Sequence, residues 1–366
     1  MRLYEVGGAV RDALLGLPAT DRDWVAVGAT PEQMLALGYK PVGRDFPVFL
    51  HPQTHEEVAL ARIERKQAPG YHGFSFHAAP EVTLEQDLAR RDLTINAMAR
   101  DEQGTLIDPF GGERDLRAGV LRHVSPAFAE DPVRLLRVAR FAARFHRFSV
   151  APETLALLRK LVDDGEVDAL VSERVWQELS RGLMEARPGR MLQLWADCRA
   201  LPRLMPEMHG VDLAALGLLL DRCAELGVPL TVRFASLARH AVTPSSLAQR
   251  LRAPKDCEAL AVMLEREGAG LLRDDVIDAN MVVALFERCD AWRRPERFAE
   301  LVLALQCEQA DWRAGRTWLA LLGATREVDT AAVAQAAAAL GGGGPEVGAA
   351  VRAARVAVVS AALARR

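Results

Sequence analysis

The sequence predicts an α/β domain of about 130–140 residues followed by an all-α remainder. Up to about residue 110, short β-type runs are divided by turn residues and short helical patterns. Beyond Asp131 the alternation typical of strands nearly disappears, and apolar residues recur at helical spacing. With 366 residues, the chain is long enough for two or three domains that each bury a core.

Each predicted element has its own signal. Strands are predicted over residues 3–6, 24–27, 48–51, 57–61 and 94–98. Helices are predicted over residues 10–15 and 31–37, the second with Thr30 as N-cap and Pro31 at its first position. In the all-α part, the alanine-rich residues 331–340 predict a helix, and the glycines that follow separate it from a last amphipathic segment.

Composition and charge exclude several classes of protein. Half of the residues are hydrophobic and 26% are charged, which is typical of a globular chain. The formal net charge of −3 excludes a globally basic nucleic-acid binder but leaves room for a local basic face. No uninterrupted apolar stretch reaches the ~20 residues of a membrane span. The five cysteines form neither a zinc pattern nor a disulfide framework, so we expect a cytoplasmic protein without a membrane partner.

Two aspartates before the second predicted strand are candidate metal ligands. Asp21 and Asp23 are separated by one residue, and residues i and i+2 of a strand project to the same face. Carboxylate oxygens suit Mg²⁺, which binds one or two carboxylates together with substrate phosphates. Glu57 opens another predicted strand and can supply a third carboxylate. Taken alone, an Asp-x-Asp pair is common by chance and equally describes two solvated turn residues.

A pair of glycines between the first strand and the first helix predicts a phosphate contact. Gly7 and Gly8 allow backbone N–H groups to approach a phosphate closely at the positive end of a helix dipole. Arg11, one turn into the helix, can reach the same phosphates. The alternative is a tight turn that binds no ligand.

Four sequence strings, in this order, resemble the class II tRNA nucleotidyltransferases, the bacterial CCA-adding enzymes. They are VGGAVRD at residues 6–12, RRDLTINA at 90–97, DPFGG at 108–112 and EDPVR at 130–134. The resemblance covers about residues 1–200 closely and weakens beyond them. It implies an α/β nucleotidyltransferase head, with a small mixed sheet and helices, over residues 1–140. A helical neck that recognises the nucleotide base would follow over 141–200, and an all-α body and tail that bind tRNA over 201–366.

The resemblance also implies catalytic roles for three carboxylates. Asp21 and Asp23 would hold Mg²⁺, while Glu57 would support the attacking hydroxyl or its metal. Metal ions of this kind serve both the attacking and the leaving oxygens of a transferred phosphoryl group.

Further roles implied by the resemblance concern the nucleotide. Gly8 and Arg11 would bind the triphosphate, and Arg91 and Asp92 would lie near the sugar. There Asp92 can accept a hydrogen bond from a ribose 2′-hydroxyl and so favour ribonucleotides. Without the resemblance, residues 90–92 are better explained as a surface ion-pair cluster.

Arginines at helical spacing follow the EDPVR string. Asp131 and Pro132 predict the N-cap and the first residue of a helix. Because the arginines step by three or four residues, their guanidinium groups share one helix face. The row consists of Arg134, Arg137, Arg140, Arg144 and Arg147. No acidic residue interrupts it, which favours a polyanion partner over a solvated face, and we expect Arg137 and Arg140 to contact the nucleotide.

Asp131 and Arg134 are one helical turn apart and can act as an acceptor–donor pair. Cytosine and adenine each present an amino donor beside a ring acceptor, whereas guanine and uracil reverse this pattern. A bidentate base contact is worth ~1–3 kcal/mol of discrimination, and unpaired buried groups cost about as much again. The protein itself can therefore reject G and U. The alternative is that Asp131 only caps the helix.

Two further segments bear on the activities of the chain. Many bacterial relatives carry a metal-dependent phosphohydrolase module of His-Asp type, but Arg239 and His240 stand where its His-Asp pair would be. The segment around His209 lacks the second histidine pattern, so we expect no phosphohydrolase activity and ordinary helix residues at His209 and His240. Residues 66–83, with glycines, prolines and aromatic residues, predict a gating loop beside the active site. The resemblance links this loop to the switch from C to A addition.

The expected function is addition of CCA to the 3′ end of tRNA without a nucleic-acid template. CTP and ATP would be the substrates, and contact with tRNA would involve its 3′ end and acceptor/T-arm region. The nearest alternative is a poly(A) polymerase of the same fold, although the string VGRDFPVF at residues 42–49 resembles the CCA type. The other alternative is a non-catalytic tRNA-binding module, against which the three intact carboxylates argue.

Overall fold

The computed structural model describes residues 1–18, 22–42, 48–66, 74–272, 278–312 and 314–365. The chain folds into two compact units, Met1–Pro206 and Glu207–Arg366. Every strand in the described residues lies in the first unit, and the second unit is helical. The predicted order, an α/β part followed by an all-α part, is confirmed. The predicted division at residues 140 and 200 remains a prediction, and residue 140 lies inside a continuous helix.

The first unit is built on a seven-stranded mixed sheet with the order β3-β4-β5-β2-β1-β8-β9. Only β2 and β5 pair in parallel; the other neighbours in this sheet are antiparallel. Two further pairs stand apart, an antiparallel β6–β7 hairpin and a parallel β10–β11 pair. The strands are β1 (Arg2–Val6), β2 (Asp23–Val27), β3 (Lys40–Val42), β4 (Val48–Leu50), β5 (Glu57–Leu60), β6 (Arg62–Lys66), β7 (Phe74–Ala78), β8 (Ala99–Arg100), β9 (Leu106–Ile107), β10 (Val120–Leu121) and β11 (Ser149–Val150).

Helices cover the sheet and continue beyond it. Those of the first unit are α1 (Gly8–Leu14), α2 (Pro31–Ala36), α3 (Leu84–Ala89), α4 (Gly112–Ala118), α5 (Val133–Arg144), α6 (Pro152–Asp163), α7 (Ser172–Leu183), α8 (Pro188–Asp197) and α9 (Leu201–Leu204). Those of the second unit are α10 (Leu213–Glu225), α11 (Leu230–Ala238), α12 (Pro244–Arg250), α13 (Lys255–Leu271), α14 (Ala279–Arg288), α15 (Pro295–Glu308), α16 (Ala314–Arg326), α17 (Thr330–Ala339) and α18 (Gly344–Ala364).

Apolar residues on the two faces of the sheet form separate cores. Val6, Val25 and Leu88 belong to the core between the sheet and α3. Val58 and Met34 belong to the core on the opposite face, which α2 covers. Because alternate residues of a strand face opposite sides, this burial fixes the strand register and thereby the direction of the polar residues at the strand ends.

Three sequence predictions are corrected by the structure. Residues 94–98 do not form a strand: Thr94–Asn96 is a 3₁₀ turn, buried in the first unit. Residues 74–78 of the predicted gating loop form β7, and residues 67–73 lie outside the described residues. His209 and His240 are exposed in turns rather than within helices. The predicted Thr30 cap of α2 is confirmed as a reciprocal capping box with Gln33.

One helix in the described part of the chain, α18, is long and apolar enough to cross a membrane by length and composition. Polar contacts tie it to neighbouring residues of the second unit. Arg352 lies 3.4 Å from a carboxylate oxygen of Glu287, and the Arg355 guanidinium lies 3.6 Å from the centre of the Trp292 ring. These contacts make the helix a weak candidate for a membrane span.

Candidate active site

One cleft of about 800 Å³ in the first unit collects almost all of the residues that the sequence singles out. Ten of the eleven predicted site residues line it, and Asp21 lies outside the described residues. The ten are Gly8, Arg11, Asp23, Glu57, Arg91, Asp92, Asp131, Arg134, Arg137 and Arg140.

Asp23 and Glu57 face each other across two strands. They are directly paired in the parallel register of β2 and β5, so their side chains project from the same face of the sheet. Both are exposed to solvent at the start of their strands. Arg22 points elsewhere, since its Nε donates to Glu5 at 2.7 Å.

The donor set suits a hard cation, because two oxygen-bearing carboxylates open onto one cleft. The described residues alone include no group of three or more His, Cys, Asp or Glu residues that could hold a metal ion. Asp21, two residues before Asp23, is the third carboxylate that the sequence supplies.

Gly7 forms a turn that only glycine tolerates. Its backbone has φ 72° and ψ −126°, and its N–H donates to the Met98 carbonyl at 3.1 Å. A Cβ at this position would lie 2.7 Å from Nη1 of Arg91. The turn thus brings the start of α1 and the Arg91 guanidinium together at the cleft.

Asp87 is the buried carboxylate that positions the two arginines of the RRD string. It is fully buried, and its oxygens lie 2.7 Å from Arg90 Nη2 and 3.4 Å from Arg91 Nη2. Burial alone would raise the pKa of Asp87, but the charges of Arg90 and Arg91 hold it below its usual value. The arrangement is a positioned pair of cations in the cleft, not a solvated surface cluster.

Asp92 already has partners within the protein. Arg137 Nε donates to it at 2.7 Å, the Asn96 side-chain amide at 3.0 Å and the Leu93 N–H at 2.8 Å. Burial alone would raise its pKa, but the charge of Arg137 and these hydrogen bonds hold the pKa well below its usual range. Asp92 is therefore an ionised acceptor at neutral pH, as contact with a ribose hydroxyl would require.

Arg11 is more deeply anchored than the sequence indicates. Only 3% of it is exposed, and it donates to the carboxylate of Asp12 at 2.9 Å and to the side-chain oxygen of Asn96. Its guanidinium also lies over the rings of Phe141 and Phe145, 5.3 and 5.1 Å from their centres. Arg11 forms a fixed part of the cleft wall.

The arginine row of α5 pairs with carboxylates from three other parts of the first unit. Arg137 pairs with Asp92 at 2.7 Å, Arg140 with Glu178 of α7 at 2.6 Å, and Arg144 with Asp12 of α1 at 2.9 Å. These ion pairs tie α5 to α1, to the segment that follows α3 and to α7. Even so, the described lining of the cleft holds ten arginines against six carboxylates, which favours an anionic ligand.

Asp131 and Arg134 lie side by side at the start of α5. The helix begins at Val133, one residue later than predicted, and Asp131 accepts the Val133 N–H at 3.0 Å. Arg134 donates to the carbonyl of Ala127 at 3.0 Å and to that of Arg90 at 2.6 Å. Both side chains line the cleft. Their hydrogen bonds to backbone groups hold this predicted base-reading pair in place.

Sequence reasoning missed the part of the cleft wall that α7 forms. Three of its residues, Arg174, Gln177 and Arg181, line the cleft in addition to Glu178. Their spacing of three and four residues places them on one polar helix face. The sequence contains this pattern, but a helix whose polar face is only solvated shows the same pattern.

The fold and the cleft define a nucleotidyltransferase of the poly(A) polymerase head type. Residues 3–122 match the family described as poly A polymerase head domain. Residues 147–211 match the family described as probable RNA and SrmB-binding site of polymerase A.

Similarity to individual proteins extends over the whole chain. The multifunctional CCA protein of Azoarcus sp. (strain BH72) is 53% identical over 404 residues, covering 99% of this chain and 97% of the relative. That of Leptothrix cholodnii is 54% identical, covering 98% and 96%. The chain belongs to the multifunctional CCA protein family of class II CCA-adding enzymes.

Solved structures agree with this assignment. The Bacillus stearothermophilus CCA-adding enzyme in complex with CTP superimposes with a TM-score of 0.74 at 25% identity, covering 98% of this chain and 89% of that one. A CCA-adding enzyme in complex with ATP has a TM-score of 0.73 at 23% identity and covers 98% and 86%, which supports the fold alone.

Proposed function

We propose that the chain adds C, C and A in turn to the 3′ end of tRNA without a nucleic-acid template, using CTP and ATP and releasing pyrophosphate. The observation that carries this conclusion is the single cleft in which the Asp23–Glu57 pair and the Asp131–Arg134 pair both lie. The first pair suits nucleotidyl transfer, and the second suits the choice of base.

In the reaction, the 3′-hydroxyl oxygen of the RNA attacks the α-phosphorus of the nucleotide, and the bond to the departing pyrophosphate breaks. Asp21 and Asp23 would hold Mg²⁺, with Glu57 beside them. Bound Mg²⁺ would promote loss of the hydroxyl proton and offset the charge of the pyrophosphate. Asp23 and Glu57 are the exposed first residues of β2 and β5, where a polynucleotide end can reach them.

The cations of the cleft would bind the rest of the nucleotide. The start of α1 at Gly8, with Arg11 and Arg91, would bind the triphosphate. The ionised Asp92 would accept the ribose 2′-hydroxyl, with Arg137 positioned by its ion pair to that carboxylate. Arg140, which is held by its ion pair with Glu178, would contribute a further cation beside the nucleotide.

Asp131 and Arg134 would select the base. Asp131 would accept from the amino group of cytosine or adenine, while Arg134 would donate to the neighbouring ring nitrogen. Because both are bound to backbone groups, a base with the reversed pattern would meet an acceptor facing an acceptor and a donor facing a donor.

The test uses a tRNA that lacks its last three nucleotides, incubated with each labelled nucleoside triphosphate separately and in pairs. CTP alone should give two additions, and ATP should be incorporated only after both. Long A tails would favour the poly(A) polymerase, and no incorporation of any nucleotide would favour a binding module. Residues 43–47, which carry most of the string that argues against a polymerase, lie outside the described residues.

We also propose that the chain has no phosphohydrolase activity. The alignments to the relatives above run over 404 and 403 residues, so these relatives carry residues inside the aligned region that this 366-residue chain lacks. Arg239, at the position expected for the module's histidine, pairs with Glu308 at 2.6 Å, and its neighbour His240 is exposed in a turn. Hydrolysis of p-nitrophenyl phosphate or bis(p-nitrophenyl) phosphate by the purified chain, with Mg²⁺, Mn²⁺ or Ni²⁺, would refute this proposal.

The site of action that we propose is the cytoplasm. All five cysteines are buried as free thiols, which suits a reducing compartment. We retain a catalytic head over residues 1–140, a neck over 141–200 and a body and tail over 201–366 as the proposed functional division.

A further inference from the structure

Helix α7 lies within residues 147–211, the range matched by the family described as an RNA-binding site, but its residues that line the cleft have no individual role assigned above. Arg174, Gln177 and Arg181 line the cleft from this helix, each three or four residues from the next. The side chain of Arg181 is 56% exposed, whereas that of Arg140 opposite it on α5 is 11% exposed. Arg181 is therefore more open to solvent than the paired arginine of α5.

Ion pairs fix the direction in which α7 runs beside α5. Arg140 pairs with Glu178 at 2.6 Å and lies 3.8 Å from Glu185. Burial raises the pKa of Glu185, and the positive charge of Arg144 opposes that rise, so Arg144 also lies near Glu185. Arg140 and Arg144, late in α5, thus lie beside Glu178 of α7 and beside Glu185, which follows the end of α7. With a rise of 1.5 Å per residue, Arg174 lies about 6 Å before Glu178, toward the start of α5.

Charge is unevenly shared along this wall. One oxygen of Glu178 accepts from Arg140 at 2.6 Å, and the other lies 3.9 Å from Arg181. This single carboxylate therefore faces arginines on both sides, and Arg174, which donates to Gln177 at 3.3 Å, is a third arginine on this side of the cleft. The wall carries an excess of positive charge and suits an anionic ligand.

We propose that Arg174 and Arg181 bind phosphodiester groups of the RNA strand whose 3′ end is extended. This inference rests on the proposed function and deepens it, because it assigns a place to the second substrate. The two arginines are seven residues apart, which places them on one face at about 10.5 Å along the helix axis. Guanidinium groups bind phosphate oxygens with two parallel hydrogen bonds, and this contact needs no particular base.

The position of Arg181 along α7 separates its ligand from the nucleotide. The triphosphate belongs at the start of α1, near Gly8 and Arg91, and the base at the start of α5. Glu178 of α7 pairs with Arg140, six residues after Arg134 on α5, and Arg181 lies three residues farther along α7, at the end away from Arg174. Arg181, which is exposed at this end of the helix, therefore suits the strand that must reach the carboxylates from solvent.

The test measures binding of a tRNA lacking its CCA end, without nucleotides, over a series of KCl concentrations. Arg181→Ala should weaken binding on the order of fivefold and lower the slope of log K against log salt by about 0.7, the share of one single-strand phosphate contact. Arg174→Ala should act in the same direction. In steady-state assays the KM for tRNA should rise while the KM for CTP stays unchanged.

Two further variants sharpen the test. Arg203→Ala is the matched control, because this arginine of the first unit is 51% exposed, pairs with Asp168 at 3.4 Å and does not line the cleft. Gln177→Glu keeps the shape of the side chain but adds a carboxylate beside Arg174, and should weaken RNA binding as the arginine variants do. The isosteric change also guards against an effect that comes only from misfolding.

The outcomes are separable. Equal salt slopes and RNA affinities for Arg181→Ala and Arg203→Ala would overturn the inference. A change in the KM for CTP or in base selection, with RNA affinity preserved, would overturn it as well and would assign α7 to the nucleotide. The proposed function fails by a different result, namely no CMP incorporation by the unaltered chain, whatever its RNA affinity.

Discussion

Replacement of Gly7 with alanine tests whether the turn before α1 positions Arg91 for the triphosphate. The backbone at Gly7 has φ 72° and ψ −126°, a region that an alanine occupies at a cost of ~1–3 kcal/mol. The new Cβ would also lie 2.7 Å from Nη1 of Arg91, so the guanidinium must move away. Arg91 would then lose its geometry relative to Asp87, now 3.4 Å away, and to the Asn96 carbonyl at 3.5 Å.

Loss of one charge-assisted phosphate contact is worth about 1.5–3 kcal/mol, which corresponds to roughly a 10- to 150-fold fall in kcat/KM for CTP. Urea denaturation and initial rates of CMP incorporation measure the two effects separately. Gly16→Ala is the control, because Gly16 has φ 69° and its Cβ would meet nothing within 4 Å. If both variants lose stability but only Gly7→Ala loses kcat/KM, the turn at Gly7 positions Arg91 for the triphosphate. Equal kinetics in the two variants would refute it.

Two further predictions concern residues of the cleft. The double variant Asp131→Ala with Arg134→Ala should relax the choice of base more than it lowers total incorporation; preserved selectivity for CTP and ATP over UTP and GTP would exclude the pair as the base reader. Asp92→Asn should lower the free energy of unfolding at pH 7 by about 2–3 kcal/mol, less than the loss of a fully buried pair because the side chain of Arg137 is 36% exposed. Because the folded pKa of Asp92 is depressed, this stabilisation is present above the unfolded pKa of ~3.9 and is lost as the pH falls toward the folded value. The difference in unfolding free energy between the two proteins should therefore be constant above about pH 5 and shrink below about pH 4; a difference that is independent of pH would contradict the assignment.

Local signals in the sequence predict the elements that place the carboxylates. The strands that carry Asp23 and Glu57 are short, β-branched and bounded by polar residues, so their existence follows from local pattern. That they pair in parallel and in direct register does not, because pairing depends on the hydrophobic faces of the whole sheet.

Residues 94–98 are predicted from their sequence to form a strand, and their packing explains why this prediction is wrong. Their apolar, β-branched composition is that of a strand, yet Thr94–Asn96 forms a 3₁₀ turn. The segment packs so closely against α4 that a Cβ on Gly112 would lie 2.2 Å from the Thr94 carbonyl oxygen. A buried turn is stabilised by the same apolar residues as a buried strand. Composition alone therefore does not distinguish a turn from a strand here.

The arginine row shows a second limit. Its helical spacing predicts a common face, and Arg137, Arg140 and Arg144 do lie along α5. Their carboxylate partners, however, come from positions 38 to 132 residues away in the chain, on Glu178, Asp92 and Asp12. A run of arginines in one helix therefore does not give the net charge of that helix face in the folded protein, because carboxylates from distant parts of the chain pack against it.

The rate of CMP addition by Asp23→Asn tests most directly whether this cleft is the catalytic site. This substitution keeps the shape of an exposed side chain, so the folded protein and its affinity for tRNA should be unchanged. Without this carboxylate the divalent cation and the attacking hydroxyl would no longer be held in line, and the rate should fall by roughly three orders of magnitude or more. CMP addition at the unaltered rate by a variant that still binds tRNA would contradict the assignment of this cleft as the catalytic site.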